Sequence, residues 1–398
     1  MNNKRELCLG MAGAGRATEL HMEALKRFSG IPICYKKIVA RRKEQVEAMK
    51  NRFGFEEYSL DFDDLLKDPE IDVIDICTPP YAHADMVERA LKAGKNVICE
   101  KPLSGYFGES DDECPVGLKV SKVKMYERLL ESLERLKKCV NESGKIFCYA
   151  ENFIYAPAIT KAAEIVTAKK SKILFSKGEE SLKGSSSPVA GEWSKTGGGT
   201  FIRTGAHPLS AVLWLKQVEA KARGESIYVK SVFADMAQIT PILSEYEHRH
   251  IAARPNDVED FGTVIITFSD GTKSVIMATD TLLGGSRNYV ELYCNDSVIN
   301  CKLTMSDLMN TYFLDEDGLD DVYISEMLPS KKGWNNPFLE DVIMRGYVDE
   351  MRNFMESIYY GREPKSGYWV AHETLRVIYA AYKSAELGKA VELFESCI

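Results

Sequence analysis

Hydrophobic positions in the first 150 residues follow two rhythms in turn. Short runs at Glu6–Met11, Ile33–Ala40, Val73–Cys77, Asn96–Cys99 and Ile146–Tyr149 read as strands. From Val97 to Cys99 the run is apolar, as in a strand buried on both faces. Between the strands lie helical spacings. Ala17, Leu20, Ala24, Leu25 and Phe28 share one helix face, and Val46, Met49 and Phe53 share another that Gly54 can end. Asp61 can cap a short helix that Pro69 closes, a further helix stops at Gly94, and a long one covers about Tyr126 to Asn141. Strand and helix alternating over short connections predict an α/β domain, residues 1–149, with a doubly wound parallel sheet.

Beyond residue 150 the period shortens to two. Alternation at Ile227–Phe233, Thr263–Phe268, Ser274–Thr279 and Tyr289–Cys294, with turns at Ser269-Asp270-Gly271 and Asn295-Asp296, predicts antiparallel pairing. Helices follow at Tyr347–Tyr360 and His372–Leu387. Residues 150–398 therefore form an α+β domain. One stretch keeps neither rhythm: Gly105 to Lys124 is polar and reads as a long loop, a lid or a solvated insertion.

Charge narrows the partners. With 51 basic against 59 acidic residues and a net charge of −8, the chain is poorly suited to nucleic acid or anionic membrane, and a small molecule is the default ligand. No apolar run reaches the roughly eighteen residues a membrane helix needs, and the segment before the first strand is too short for a signal peptide. A cytoplasmic protein is expected. The 10 cysteines include no Cys-x-x-Cys, so they read as reduced core residues, and no spacing points to a metal.

Candidate chemistry sits at strand ends. Gly13-Ala14-Gly15-Arg16-Ala17-Thr18, between the first strand and its helix, is a phosphate cradle loosened by Thr18 at the third glycine position. Arg41 and Arg42 end the second strand where an NAD-preferring fold places an acid, so charge leans to a 2'-phosphate and NADP. Glu100-Lys101-Pro102 ends another strand. Proline cannot continue the ladder, so Lys101 is presented at the rim where such sheets bind ligands.

Four motifs in this order resemble the glucose-fructose oxidoreductase, inositol dehydrogenase and rhizopine-catabolism (Gfo/Idh/MocA) family. They are Gly13–Arg16 with His21; Asp75-Ile76-Cys77-Thr78-Pro79-Pro80 with His83; Glu100-Lys101-Pro102; and Gly197-Gly198-Gly199 through Gly205-Ala206-His207. Glu151-Asn152-Phe153-Ile154-Tyr155-Ala156-Pro157 stands where the family enters its second domain. The resemblance implies a Rossmann domain followed by a large open, mostly antiparallel sheet that packs against another subunit in a homo-oligomer. It also implies terminal helices that return towards the first domain.

The resemblance further implies NAD or NADP, in one variant tightly held, near Gly13, Gly15, Arg16, Ala17, Arg41, Arg42, Thr78, Pro79, His83, Glu100 and Lys101. Lys101 and His207 become the proton-handling pair, converging on one face of the nicotinamide. Asn152, Tyr155, Trp193, Arg203 and His207 become substrate contacts, with Trp193 either stacked on a sugar or simply packed. Two positions depart from the family: Arg203 stands where an aspartate is usual, four residues before His207, and Ser210 replaces another common aspartate. A guanidinium there would favour neutral lysine and histidine, bind an acidic or hydroxyl-rich substrate, or point away. The implied activity is oxidation or reduction of a secondary alcohol or ketone of a sugar, glycoside or cyclitol, with C3 of a pyranose as one site. Alternatives are a redox-neutral enzyme with resident nucleotide and a non-catalytic nucleotide-sensing regulator.

Overall fold

A computed structural model describes residues 6–185, 187–304, 309, 311–324, 328, 330–337 and 340–395. The amino-terminal five residues and Cys397, which entered the expectations on location and thiols, lie outside the described residues. The chain divides into two compact units, each drawn from several segments. The first comprises Met1–Gly105, Leu129–Asn152 and Gly346–His372, and the second Tyr106–Arg128, Phe153–Arg345 and Glu373–Ile398.

In the first unit, β1 (Leu7–Ala12), β2 (Ile33–Val39), β3 (Glu57–Ser59), β4 (Val73–Ile76), β5 (Asn96–Glu100) and β6 (Phe147–Ala150) form a parallel sheet in the order β3-β2-β1-β4-β5-β6. Leu9, Met11, Val73, Ile74, Val97 and Ile98 are fully enclosed, which is what continuous apolar runs require. The order reverses between β1 and β4, the switch point at which such sheets open a crevice. Register carries the strand ends to one edge, since Ala12 pairs with Ile76 and Ile76 with Cys99. Helix α1 (Arg16–Arg27) buries Thr18, His21, Met22, Ala24 and Leu25, and packs against the helix Tyr347–Tyr360.

The second unit holds a mixed sheet. Its strands are β7 (Ile173–Ser181), β8 (Val229–Ala237), β9 (Phe261–Phe268), β10 (Lys273–Thr279), β11 (Arg287–Cys294) and β12 (Val298–Lys302), with β13 (Thr311–Phe313) and β14 (Gly333–Asn335) forming a separate ribbon and β15 (Val391–Glu392) at the edge. The order is β12-β11-β7-β10-β9-β8-β15, antiparallel except where β7 meets β10. The helix Ala206–Arg223 covers one face, and a Cβ added at Gly178 would come within 2.8 Å of Pro208 on it. The other face leaves Phe233 and Ile265 exposed.

The segment expected as a loop is pinned within this unit. The Gly117 amide donates to Asp257 at 2.8 Å, the Tyr106 amide to the Tyr379 hydroxyl at 2.6 Å, and a short helix forms at Val116–Lys119. Among the described residues no helix is long and apolar enough to cross a membrane, and nine cysteines are free thiols.

Candidate active site

In the first unit the cradle is built by close approach. Gly13 has φ +119°, and a Cβ there would sit 2.3 Å from the Cys77 carbonyl oxygen, so β1 and β4 can converge only over a glycine. Gly15 caps α1 without a side-chain hydrogen bond and has open space where its Cβ would lie. The first amides of α1 are therefore left for an anion, which fits the pyrophosphate of a dinucleotide. Ala17 lies in that first turn, whereas Arg16 is exposed and paired with Glu19 at 3.0 Å. Arg41 and Arg42 are exposed beyond β2, at the start of the helix Lys43–Phe53.

Thr78 and Pro79 follow β4 at the same edge, and Lys101 follows β5, half-buried. His83 lies between these two rim turns. Its Nδ1 lies 2.8 Å from the Pro102 carbonyl and its Nε2 2.7 Å from the Thr78 carbonyl, so both nitrogens are spent joining the two rim turns. Burial pulls its pKa below the usual histidine value, against the carbonyls that favour the charged ring.

Beneath Lys101 is a charged cluster that local sequence does not reveal. His21 Nδ1 lies 2.9 Å from Asp75 Oδ2, and Nε2 lies 3.3 Å from Glu100 Oε1. Glu100 Oε2 accepts the Lys101 amide proton at 2.8 Å. Burial works to lower the His21 pKa, yet Asp75 and its neighbours outweigh it and hold the imidazolium well above the ordinary range. His21, Asp75 and Cys77 also bring ligand-type atoms within 4.8 Å of one another. Their hydrogen bonds are those of an ion pair with a thiol beside it, since Cys77 Sγ is 3.5 Å from both partners.

In the second unit the glycine triplet is compressed against a carboxylate. A Cβ at Gly198 would meet the Tyr382 hydroxyl at 2.2 Å, and one at Gly199 the Glu259 carbonyl at 1.8 Å. Glu259 accepts the Gly199 amide at 2.8 Å, the Phe201 amide at 2.9 Å and the Tyr382 hydroxyl at 2.9 Å. Burial pushes its pKa up to about 7 despite those three donors. The chain then makes a wide π-helical turn, Phe201–Gly205, a form associated with functional sites, and enters the helix Ala206–Arg223. His207 stands in its first turn, stacked on Phe153 with ring centroids 4.9 Å apart.

Arg203 resolves one open question. Its guanidinium is paired with Asp280, which also accepts the Thr200 hydroxyl at 3.0 Å, so a carboxylate from beyond β10 answers the charge. Arg203 and Asp280 both line a cavity of about 150 Å³ in the second unit. Ser210 is buried and shares a hydrogen bond with Thr374 at 2.8 Å.

Trp193 corrects the stacking expectation. Its indole nitrogen donates to the Tyr106 carbonyl at 2.9 Å, its ring lies against Tyr379 and Tyr382, and only 2% of the residue is exposed. This is a packing position. Asn152, in the first unit, and Tyr155, in the second, are both buried. Lys101 thus belongs to the first unit and His207 to the second.

Residues 7–112 match the model described as an oxidoreductase family with an NAD-binding Rossmann fold, and residues 175–300 match the GFO/IDH/MocA C-terminal domain. The chain is 24% identical over 383 residues to levoglucosan dehydrogenase of Pseudarthrobacter phenanthrenivorans, covering 90% of each chain. It is 23% identical over 387 residues to myo-inositol 2-dehydrogenase of Thermotoga maritima, covering 97% of this chain and 98% of that one. The crystal structure of GenD2, from gentamicin A biosynthesis, in complex with NAD superposes with a TM-score of 0.80 at 22% identity, over 98% of this chain and 97% of that one. That likeness speaks for the fold.

Proposed function

Because this chain belongs to the Gfo/Idh/MocA oxidoreductase family, with its NAD-binding Rossmann domain, we propose that it is a nicotinamide-dependent dehydrogenase. Its substrate is a secondary alcohol of a sugar, glycoside or cyclitol, which it converts to the ketone. The observation that carries the reading is the first unit's carboxyl edge, where an uncapped helix terminus over Gly13 and Gly15 follows β1 and Lys101 follows β5, with β4 between them.

Bound nucleotide supplies the hydride acceptor. The residues supply the rest: the α1 amides and Gly13–Ala17 hold the pyrophosphate, and Thr78 and Pro79 shape the rim beside it. Lys101, as the neutral amine, takes the hydroxyl proton of the substrate while the carbinol carbon loses hydride, leaving a carbon–oxygen double bond and a lysine ammonium. His207 is the second proton-handling group, and Asn152 and Tyr155 belong to the substrate side. The exposed Arg41 and Arg42 support acceptance of a 2'-phosphate, hence NADP beside NAD. Oxidation at C3 of a pyranose is the finer form of the proposal. We take the protein to act in the cytoplasm as a homo-oligomer formed through the uncovered sheet face of the second unit.

The test is absorbance at the reduced-nicotinamide band. Purified protein is offered myo-inositol, levoglucosan, glucose and alkyl glycosides with each nucleotide, alongside Lys101→Ala. Turnover that vanishes in the variant is the expected result. Binding of NADH without turnover of any polyol would favour a nucleotide-sensing regulator, and turnover of diketones alone would move the substrate class.

A further inference from the structure

Lys101 is one residue past the end of its ladder, since the last register pair of β5 with β6 is Glu100 with Ala150. Its amide therefore has no strand to donate to and turns to the carboxylate of its own neighbour, Glu100 Oε2, at 2.8 Å. The other oxygen of that carboxylate, Oε1, lies 3.3 Å from Nε2 of His21 on α1, an ion-pair contact without hydrogen-bond alignment. His21 is anchored in turn by Asp75, in the middle of the sheet, where Met11 and Ile98 flank it in register. Neither His21 nor Asp75 has any exposed surface.

We propose that the chain Asp75–His21–Glu100 is the positioning device for Lys101, with His21 as the cationic link between two carboxylates. This rests on the reading of Lys101 as the proton-handling group. Charge explains why the link must be a histidine with both nitrogens protonated. Asp75 and Glu100 are acceptors only, so a neutral ring would satisfy one and leave the other facing a lone pair. Without the cation the two carboxylates would repel, and Glu100 would swing away and release the Lys101 amide.

The groups that face His21 are Asp75 and Cys77 from the β4 edge, Glu100 from β5 and Glu350 from the helix Tyr347–Tyr360, with Glu151 adding to the field at Glu350. Glu350 is fully buried and neither carboxylate oxygen has a hydrogen-bond partner. Burial raises its pKa well above the usual carboxylate value, against the pull of His21, which favours the charged form.

The experiment uses the full chain with NAD and the polyol that wild type oxidises best, and compares wild type with His21→Gln. Expected are a kcat at least tenfold lower, a KM for NAD within about twofold, and a displaced limb in the pH–kcat profile. A merely structural histidine would change stability but not the profile. Acetic anhydride labelling read by mass spectrometry supplies a measure independent of turnover: the Lys101 acylation rate relative to exposed Lys138 should change at least threefold. Should His21→Gln fail to fold, Asp75→Asn, which keeps the ring and removes its anchor, is read by the same ratio.

An unchanged ratio in a folded variant overturns the proposal. Wild type that oxidises nothing, while its Lys101 ratio responds to the substitution, overturns the dehydrogenase reading and upholds the positioning chain.

Discussion

The glycine triplet and the turn that carries His207 hang on one buried acid, and pH should report its state. Glu259 accepts three hydrogen bonds yet titrates near 7 against an ordinary value of 4.5, because burial outweighs the donors. A carboxyl whose pKa is raised by folding favours the native state most at low pH. That advantage is lost as pH rises from the unfolded value through the folded one. The full shift corresponds to about 3 kcal/mol, of which about 2 kcal/mol is lost between roughly pH 5.5 and pH 8.

Glu259→Gln removes the titration. Its carbonyl, placed as Oε1, keeps the Phe201 amide and the Tyr382 hydroxyl, while its amide group confronts the Gly199 amide, donor against donor, at a cost of about 1–3 kcal/mol. The variant should therefore be clearly less stable than wild type near pH 5.5 and close to it near pH 8. Urea titrations followed by tryptophan fluorescence at several pH values measure the gap. A difference that stays constant within about 0.5 kcal/mol across that range would refute the assignment of the titrating group to Glu259.

Three further outcomes follow from the geometry. Gly13→Ala forces a Cβ into the Cys77 carbonyl at a backbone angle costing about 1–3 kcal/mol, so NADH affinity by fluorescence titration should fall at least tenfold, and an unaltered Kd would remove the cradle from that turn. Replacing both Arg41 and Arg42 by glutamate should lower kcat/KM with NADP far more than with NAD, and parallel losses would show the guanidiniums do not meet the 2'-phosphate. Trp193→Phe deletes the hydrogen bond to the Tyr106 carbonyl and should cost about 1–3 kcal/mol of stability while leaving the KM for sugar within about twofold; a large rise in KM would restore the tryptophan to the substrate site.

Which parts of this molecule could be read in advance follows from how local each signal is. The helix Tyr347–Tyr360 has the expected bounds, and β4 and β5 differ from expectation by a residue, because short, mostly apolar runs and terminal glycines act within a few positions. Strand β7, central in the second sheet, escaped notice. Its sequence Ile-Leu-Phe-Ser-Lys-Gly-Glu-Glu-Ser looks polar, but Ser176 shares a hydrogen bond with Ser274 on β10, and one oxygen of Glu180 accepts from Asn288 on β11. A polar residue reads as buried only when its partner is known, and these partners lie about a hundred positions downstream.

The same reason hid the most informative contacts of the candidate site. His21 and Asp75 are 54 residues apart, Arg203 and Asp280 77, and Glu259 and Tyr382 123. Only Asp75 carried a local warning, as an acid inside the apolar strand Val-Ile-Asp-Ile. An ionised carboxylate cannot remain in such a strand without a cation or donors, so the strand alone calls for one or the other nearby. The histidine that meets this demand lies on the inner face of α1, downstream of the glycine turn. On the proposed function, the helix whose first amides would face a dinucleotide also carries the histidine that stands between Asp75 and Glu100, so that nucleotide binding and lysine placement would share one element.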